Sequence, residues 1–459
     1  MKIEAVQFFA RQAWVEGTWA QDVLLGVGVD GHWSQVLPGA TDAQRADAVV
    51  LSGPVLPGVV NAHGHAFQRA IAGLTERRGS GTQAADDFWS WRDRMYSAAN
   101  CITPDQLETI ARQLYSELLV GGYTQVCEFH YLHNALSGGP YAHTAEMSMA
   151  LVRAAQHTGI GLTLLPTLYM RSGFGANGLR EDQSRFASTP QSIVRIVEDV
   201  QRQAAGDPRI NLGVAIHSLR AVSPPALKEL VAYAHQAGLP VHIHIAEQTQ
   251  EVDDCLVHTG QRPIEWLLNH VDVNARWNLV HATHTTRDEL VGIQAGGASV
   301  VICPATEANL GDGVFDLPGY ATVKGAWSIG SDSHVTRRWS EELRLLEYAQ
   351  RLTHRKRNMA AQCLRNTSSA AALFEAALAG GSAASGQALA GIAVGQRADF
   401  VVLDTMSPAL QGVPSDHMLD ALVFSSPDAR FSAVHVAGQT VVPQDDAGFA
   451  PAMRALWGG

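Results

Sequence analysis

Short apolar runs that alternate with longer stretches of helical periodicity constrain this chain's fold more than any other feature. Eight such runs are legible, at residues 55–62, 122–129, 161–169, 211–217, 240–245, 278–282, 299–303 and 326–332. Helical patterns lie between them, for example at 104–120, 144–158, 190–204, 224–237 and 286–295. Runs of this kind read as strands buried on both faces, and their alternation with helices reads as a parallel α/β architecture. Eight units predict a (β/α)8 TIM-like barrel over residues 55–386. The flanks differ. Residues 1–54 and 387–459 show short strands with turns, at 23–29, 31–33, 398–403 and 433–438. Each end is too short for a core of its own, so the two predict one small β-sandwich domain built from the N- and C-terminal segments.

Polar chemistry gathers at the strand ends, where barrels of this type build their sites. The first run ends in His63-Gly64-His65. Residues two apart on a strand share a face, so both imidazoles can grip one ion. Glu128 and His130 end the second run and His217 the fourth. The fifth carries His242 and His244 on one face, and His244, nearer the end, is the expected ligand. Glu247 falls just past that strand, placed to face a metal without binding it. His281 ends the sixth run and Asp332 the eighth, with His284 expected in a loop. His63, His65, His244 and Asp332 make a set of three nitrogens and one oxygen that suits Zn2+ with an open position, although other divalent ions also fit. A bound ion of this type lowers the pKa of water to roughly 7.

Bulk properties narrow the partners. A net charge of −11 argues against a nucleic-acid partner, though a local arginine pair can still receive an anionic small molecule. No apolar stretch reaches membrane-spanning length, so no membrane partner is expected. The first residues lack the long apolar core of a signal peptide. Five scattered cysteines read as reduced thiols of a cytoplasmic enzyme. The stretch Gly79-Ser80-Gly81-Thr82, ahead of a tryptophan-rich segment, reads as a hinge.

The strand-one His-x-His, the His244-x-x-Glu247 pair, His281, Asp332 and the β-rich flanks together resemble the amidohydrolase superfamily over nearly the whole chain. Dinuclear members bridge their metals with a lysine from strand four. That strand has none here, so the resemblance implies one divalent ion. Four further segments are similar to the family of formimidoylglutamate deiminases. They contain Gln68, Arg92, Tyr131, and His217 with Arg220, which the resemblance makes substrate-binding residues. Arg94 lies close enough to Arg92 that either could serve. The implied substrate is a small dicarboxylate amidine, and permanently charged, bidentate arginines suit its carboxylates. The implied reaction is hydrolytic deamination of N-formimidoyl-L-glutamate, with Asp332 accepting the water proton and Glu247 protonating the leaving nitrogen. His281 would stabilise the tetrahedral intermediate. The resemblance also implies a homodimer. A deaminase of a nucleobase or aminated heterocycle would keep the metal residues and reassign the arginines. A non-catalytic barrel would leave the complete proton-transfer set without a use.

Overall fold

The computed structural model describes residues 4–77, 87–425 and 428–457. The stretch expected to be a hinge, 79–82, lies outside the described residues.

Five short strands open the chain: β1 (Val6–Val15), β2 (Thr18–Val27), β3 (Trp33–Leu37), β4 (Val49–Val50) and β5 (Val55–Pro57). β1 and β2 form a tight hairpin. Its turn residues Glu16 and Gly17 both take positive φ, 51° and 74°, the geometry that matches strand twist. The barrel strands follow: β6 (Val59–Gly64), β7 (Tyr123–His130), β8 (Gly161–Leu168), β9 (Ile210–Leu212), β10 (Val214–Ile216), β11 (Val241–Ile245), β12 (Trp277–His281), β13 (Ser299–Ile302) and β14 (Ala326–Ile329). They pair in parallel and in chain order, with β9 set beside β8 as an extension. A parallel bridge between Gly64 and Asp332 closes the ring. At this seam Asp332 N–H donates to His63 O (3.0 Å) and His65 N–H to Asp332 O (3.2 Å). Closure needs a close approach, since a Cβ at Gly330 would stand 2.7 Å from that of His63. The barrel's own seam therefore sets the first histidine against the last strand's aspartate.

Helices start where the sequence supplies caps. The helix Pro104–Val120 has a reciprocal Thr103–Gln106 capping box with proline in its first turn. The helix Pro224–Ala237 stops at Gly238, whose φ of 73° few other residues adopt. The helix Ser369–Ser385 is rich in alanine and glycine because it lies against strand backbone; a Cβ at Gly380 would run into the carbonyl of Trp327. His242 Nε2 reaches Ala384 O (2.9 Å) and Thr163 Oγ1 donates to Ser385 O (2.9 Å), so this helix covers the N-terminal strand ends. The C-terminal ends are left for the site.

Three strands complete the second sheet: β15 (Phe400–Leu403), β16 (Phe431–Val436) and β17 (Gln439–Val441). Its order is β17-β16-β15-β5-β1-β2-β3, with β4 beside β1. Although β3 and β15 are not neighbours in that order, the rings of Trp33 and Phe400 are 5.4 Å apart, and Trp33 N–H donates to Gln396 O at 2.8 Å. The sheet thus doubles back into a small sandwich with its own core of Phe8, Val23, Leu25, Trp33, Phe400 and Val402. A buried Arg397–Asp399 pair (2.7 Å), with Arg397 Nη2 also donating to Gln125 Oε1 (2.9 Å), ties it to β7.

Two details depart from the sequence reading. The run at 55–62 is two strands, because Gly58 takes the chain across from one sheet to the other. β5 pairs with β15 in the small sheet and β6 begins the barrel, so the boundary read at 54/55 falls at Gly58. The segment 387–459 is also not purely β. It contributes helices Met418–Phe424 and Phe449–Trp457, which pack on the barrel's helices, and Trp457 Nε1 donates to Ala70 O (3.0 Å). Among the described residues no helix is long and apolar enough to cross a membrane, and all five cysteines are free thiols.

Candidate active site

Three imidazoles and one carboxylate converge at the C-terminal mouth. The ligand atoms of His63, His65 and His244 lie within 4.8 Å of one another, as do those of His63, His281 and Asp332. His65 Nδ1 is 2.8 Å from Phe129 O and His244 Nδ1 is 3.1 Å from His217 O. Carbonyls only accept, so each Nδ1 carries the proton and each Nε2 turns a lone pair inward. His244 Nε2 is 3.0 Å from His63 Nε2. Asp332 Oδ1 is 3.4 Å from His63 Nε2 and 3.3 Å from His65 Nε2. Lone pairs and a carboxylate crowded this closely, in a site closed to bulk water, fit a divalent cation. Burial drives His63 down to about 3, with Asp332 opposing and His65 reinforcing. Burial is also the main cause that holds His244 well below its ordinary range. The nitrogens of His63 and His244 are therefore unprotonated at neutral pH, the state a metal requires.

Beside this cluster stand groups suited to moving protons. His281 Nε2 is 3.6 Å from Glu247 Oε1 and 3.9 Å from Asp332 Oδ2, and its Nδ1 is 3.4 Å from Glu307 Oε1. Burial alone would neutralise His281; Glu247, Glu307 and Asp332 more than offset it and hold its pKa up at about 10. Burial raises Glu247 to about 7, with His281 pulling the other way, so this carboxyl can gain or lose a proton near neutrality. His281, Ala282 and Asp332 keep φ of 70°, 49° and 46°. Such left-handed backbone costs on the order of 1–3 kcal/mol per residue and tends to cluster where function demands it.

One small cavity opens onto these groups and is lined by His65, Gln68, Arg92, Tyr131, His217, Arg220, His244, Glu247, His281 and Asp332. Every site residue singled out from the sequence lies on it, except His63, which sits behind at the seam. The two arginines between which the sequence leaves a choice are placed differently. Arg92 faces the cavity, while Arg94 Nη1 donates to Thr75 O (2.8 Å). The Arg92 guanidinium lies 4.4 Å from the ring centre of Trp89, and that of Arg220 lies 5.8 Å from the same ring. Arg92 Nε and Arg220 Nη1 are buried without a hydrogen-bond partner, as is Gln68 Oε1. Gln68 Nε2 donates to Tyr131 OH (3.3 Å), and His217 Nδ1 meets Ser218 Oγ (3.1 Å). The unsatisfied buried donors and the metal-type cluster thus open onto the same cavity.

Other strand-end residues stay outside the cavity. His130 packs against His133 at 5.3 Å between rings, and Glu128 accepts Ala66 N–H (2.6 Å) and Tyr115 OH (3.1 Å), holding the turn after His65. The sequence reading passed over Glu307, Asp312 and Glu251. Glu307 follows β13, and its spacing of four residues from Cys303, whose N–H it accepts at 2.8 Å, was a usable signal. Asp312 is raised to about 9, chiefly by burial and next by Glu247.

Buried neutral histidines also make a pH prediction. His133 and His242 are both pushed down to about 4 by burial, as His63 is further. An unfolded chain protonates these groups near pH 6.5, so stability falls as pH drops through that value toward the folded pKa values. Raised acids such as Glu128, at about 7, act oppositely, holding protons in the folded state. The depressed histidines outnumber the raised acids among the described residues. The metal-free protein should therefore lose about 1.4 kcal/mol per pH unit for each uncompensated imidazole. Urea midpoints at about pH 7 and about pH 5.5 check this; an unchanged or higher midpoint at the lower pH contradicts it.

Comparisons with known proteins agree with this geometry. The model of the amidohydrolase family matches residues 55–441. A formimidoylglutamate deiminase of Pseudomonas aeruginosa is 44% identical over 95% of this chain and 94% of its own length. A 5-methylthioadenosine/S-adenosylhomocysteine deaminase of Halobacterium salinarum is 26% identical over 86% of this chain and 84% of its own. Among solved structures, an amidohydrolase from Brucella melitensis superposes with a TM-score of 0.89 at 41% identity, covering 98% of both chains. An adenosine deaminase from Xanthomonas campestris with bound zinc shares the fold, with a TM-score of 0.79 at 22% identity over 98% of this chain and 97% of that one.

Proposed function

Since this chain belongs to the amidohydrolase family, we propose that it hydrolyses N-formimidoyl-L-glutamate to N-formyl-L-glutamate and ammonia. The choice of substrate rests on Arg92 and Arg220, two cavity-facing guanidinium groups with unsatisfied buried N–H groups. Among the described residues Arg92 has no carboxylate within ion-pair distance, so its charge awaits one from a ligand. A planar aromatic ring would leave the Arg92 guanidinium without an anion and the buried N–H donors of both arginines unsatisfied, whereas the two carboxylates of the glutamate moiety satisfy them. Gln68 and Tyr131 complete that end of the pocket, and His217 lines its wall.

A divalent cation held by His63, His65, His244 and Asp332 would supply Lewis-acid chemistry and lower the pKa of water to roughly 7. The surrounding residues divide the proton transfers. Asp332 takes a proton from water as the oxygen bonds to the formimidoyl carbon. Glu247, poised near neutrality, protonates the imidoyl nitrogen. His281, kept charged by its three carboxylates, donates a hydrogen bond to the oxygen of the tetrahedral intermediate. A second proton reaches the same nitrogen through Glu247, the C–N bond breaks, and ammonia leaves. The second proton delivered to the nitrogen is the one first taken by Asp332, and the oxygen's remaining proton passes to Glu247 as the formyl C=O forms, which restores that carboxyl. Over the cycle, one water thus balances both protons gained by the nitrogen.

The proposal extends to a single zinc ion, which suits three imidazoles and one carboxylate. It extends also to a place in histidine degradation in the cytoplasm, as a homodimer whose only ligand class is a small dicarboxylate amidine, without nucleic acid or membrane. The net charge of −11 supports the exclusion of nucleic acid. A substrate panel tests the activity. The kcat/KM for N-formimidoyl-L-glutamate should exceed that for N-formimidoyl-glycine, which lacks the second carboxylate, by about 10²-fold. Faster turnover of adenosine or another aminated ring would replace this reading.

A further inference from the structure

Glu251 lies in the first turn of the helix Thr249–Thr259 and is 1% exposed. A buried acid there could simply cap the turn after β11, but its contacts exceed that task. Its Oε1 accepts Ala246 N–H (3.3 Å) and its Oε2 accepts Glu247 N–H (3.2 Å). The same Oε2 stands 3.4 Å from Arg220 Nη1. Arg220 Nη1 makes no hydrogen bond, so Glu251 attracts the guanidinium without using its donors. The strand exit it grips is sharply turned, with Ala246 at φ 52°. On the far side Arg171 Nε donates to Arg220 O (3.1 Å) and Nη2 to Leu219 O (3.0 Å), so the loop bearing Arg220 is held from behind as well.

We propose that Glu251 is a positioning residue that locks Arg220 and the strand exit bearing Glu247 into one register. One carboxylate thereby fixes the distance between the group that captures the substrate's carboxylate and the group that protonates its formimidoyl nitrogen. Misplacement at either end of such a span costs rate as well as affinity. The inference rests on the substrate reading given above.

Glu251→Gln tests it, since the amide keeps the size and one acceptor but loses the charge that holds Arg220. With N-formimidoyl-L-glutamate the variant should show KM raised by about tenfold and kcat lowered by about tenfold, with zinc content unchanged. In an Arg220→Met background, Glu251→Gln should raise KM further by less than about threefold and still lower kcat, because its effect on affinity runs through Arg220. Both constants within about twofold of the parent's, or KM effects that multiply in full, overturn the inference. If Glu251→Gln does not fold, hydrogen exchange of the parent holoenzyme decides. Glutarate, at a concentration that inhibits competitively, should slow exchange across residues 246–252, and unchanged exchange overturns the coupling. A parent that does not turn over N-formimidoyl-L-glutamate sinks the substrate reading instead, whatever the variant does.

Discussion

Glutamine in place of Glu247 should lower kcat by about 10²–10⁴-fold while leaving KM within about threefold. The side chain lies 3.6 Å from His281 and faces the cavity, and it is not one of the four residues proposed to hold the ion, His63, His65, His244 and Asp332. Its amide replacement therefore removes a proton carrier without removing a metal ligand. Metal content, measured alongside steady-state rates, should equal the parent's. The matching change at Asp332, to asparagine, should be as damaging to turnover. There part of the loss should appear as weaker metal retention, because that carboxylate also faces His63 and His65 at 3.4 and 3.3 Å. Turnover retained in Glu247→Gln would remove the residue from the proton path.

Methionine in place of Arg92 should raise KM for the dicarboxylate by about 10²-fold, with a smaller change in kcat. This site gives a clean reading because no carboxylate of the described residues is left stranded by the change. Arg220→Met should cost more, since it also leaves Glu251 as an uncompensated buried anion. In both variants the preference for N-formimidoyl-L-glutamate over N-formimidoyl-glycine should shrink. An unchanged KM in both would return the arginines to structural duty and reopen the ring-deaminase reading.

How much of this could be read beforehand depended on how local the signal was. The barrel was legible because its strands are buried on both faces and so appear as short, largely apolar runs, as in Gly161–Leu168 and Ser299–Ile302. Helix limits were legible where prolines and caps punctuate the chain, as at Pro104–Val120 and Pro224–Ala237. Residues 1–54 read as short strands with turns, but β1 (Val6–Val15) was not picked out among them, because its burial shows no simple alternation. Likewise Val55–Pro57 and Val59–Gly64 look continuous in sequence, and only the pairing partners of β5 show that Gly58 divides two sheets. In the site, the metal-type residues stood out because histidines and an aspartate gather at strand exits, whereas Gln68, Arg92, Tyr131 and Arg220 were singled out through the family resemblance; Arg92 lies on the helix Phe88–Ala99. Glu251, Glu307 and Asp312 did not stand out, because an acid four or more residues into a loop or helix looks like any solvated or capping acid. Their burial is a tertiary property. Arg92 and Arg94 were inseparable for a related reason: on a helix, a shift of two residues moves a side chain to another face.

Ammonia release from N-formimidoyl-L-glutamate, by zinc-loaded and metal-stripped protein side by side, tests the central claim most directly. The zinc-loaded protein should release one ammonia for each N-formyl-L-glutamate formed. The stripped protein should be nearly silent and recover when zinc is restored. Equal rates in both samples, or no ammonia from protein verified to hold the ion, would contradict this account of the site.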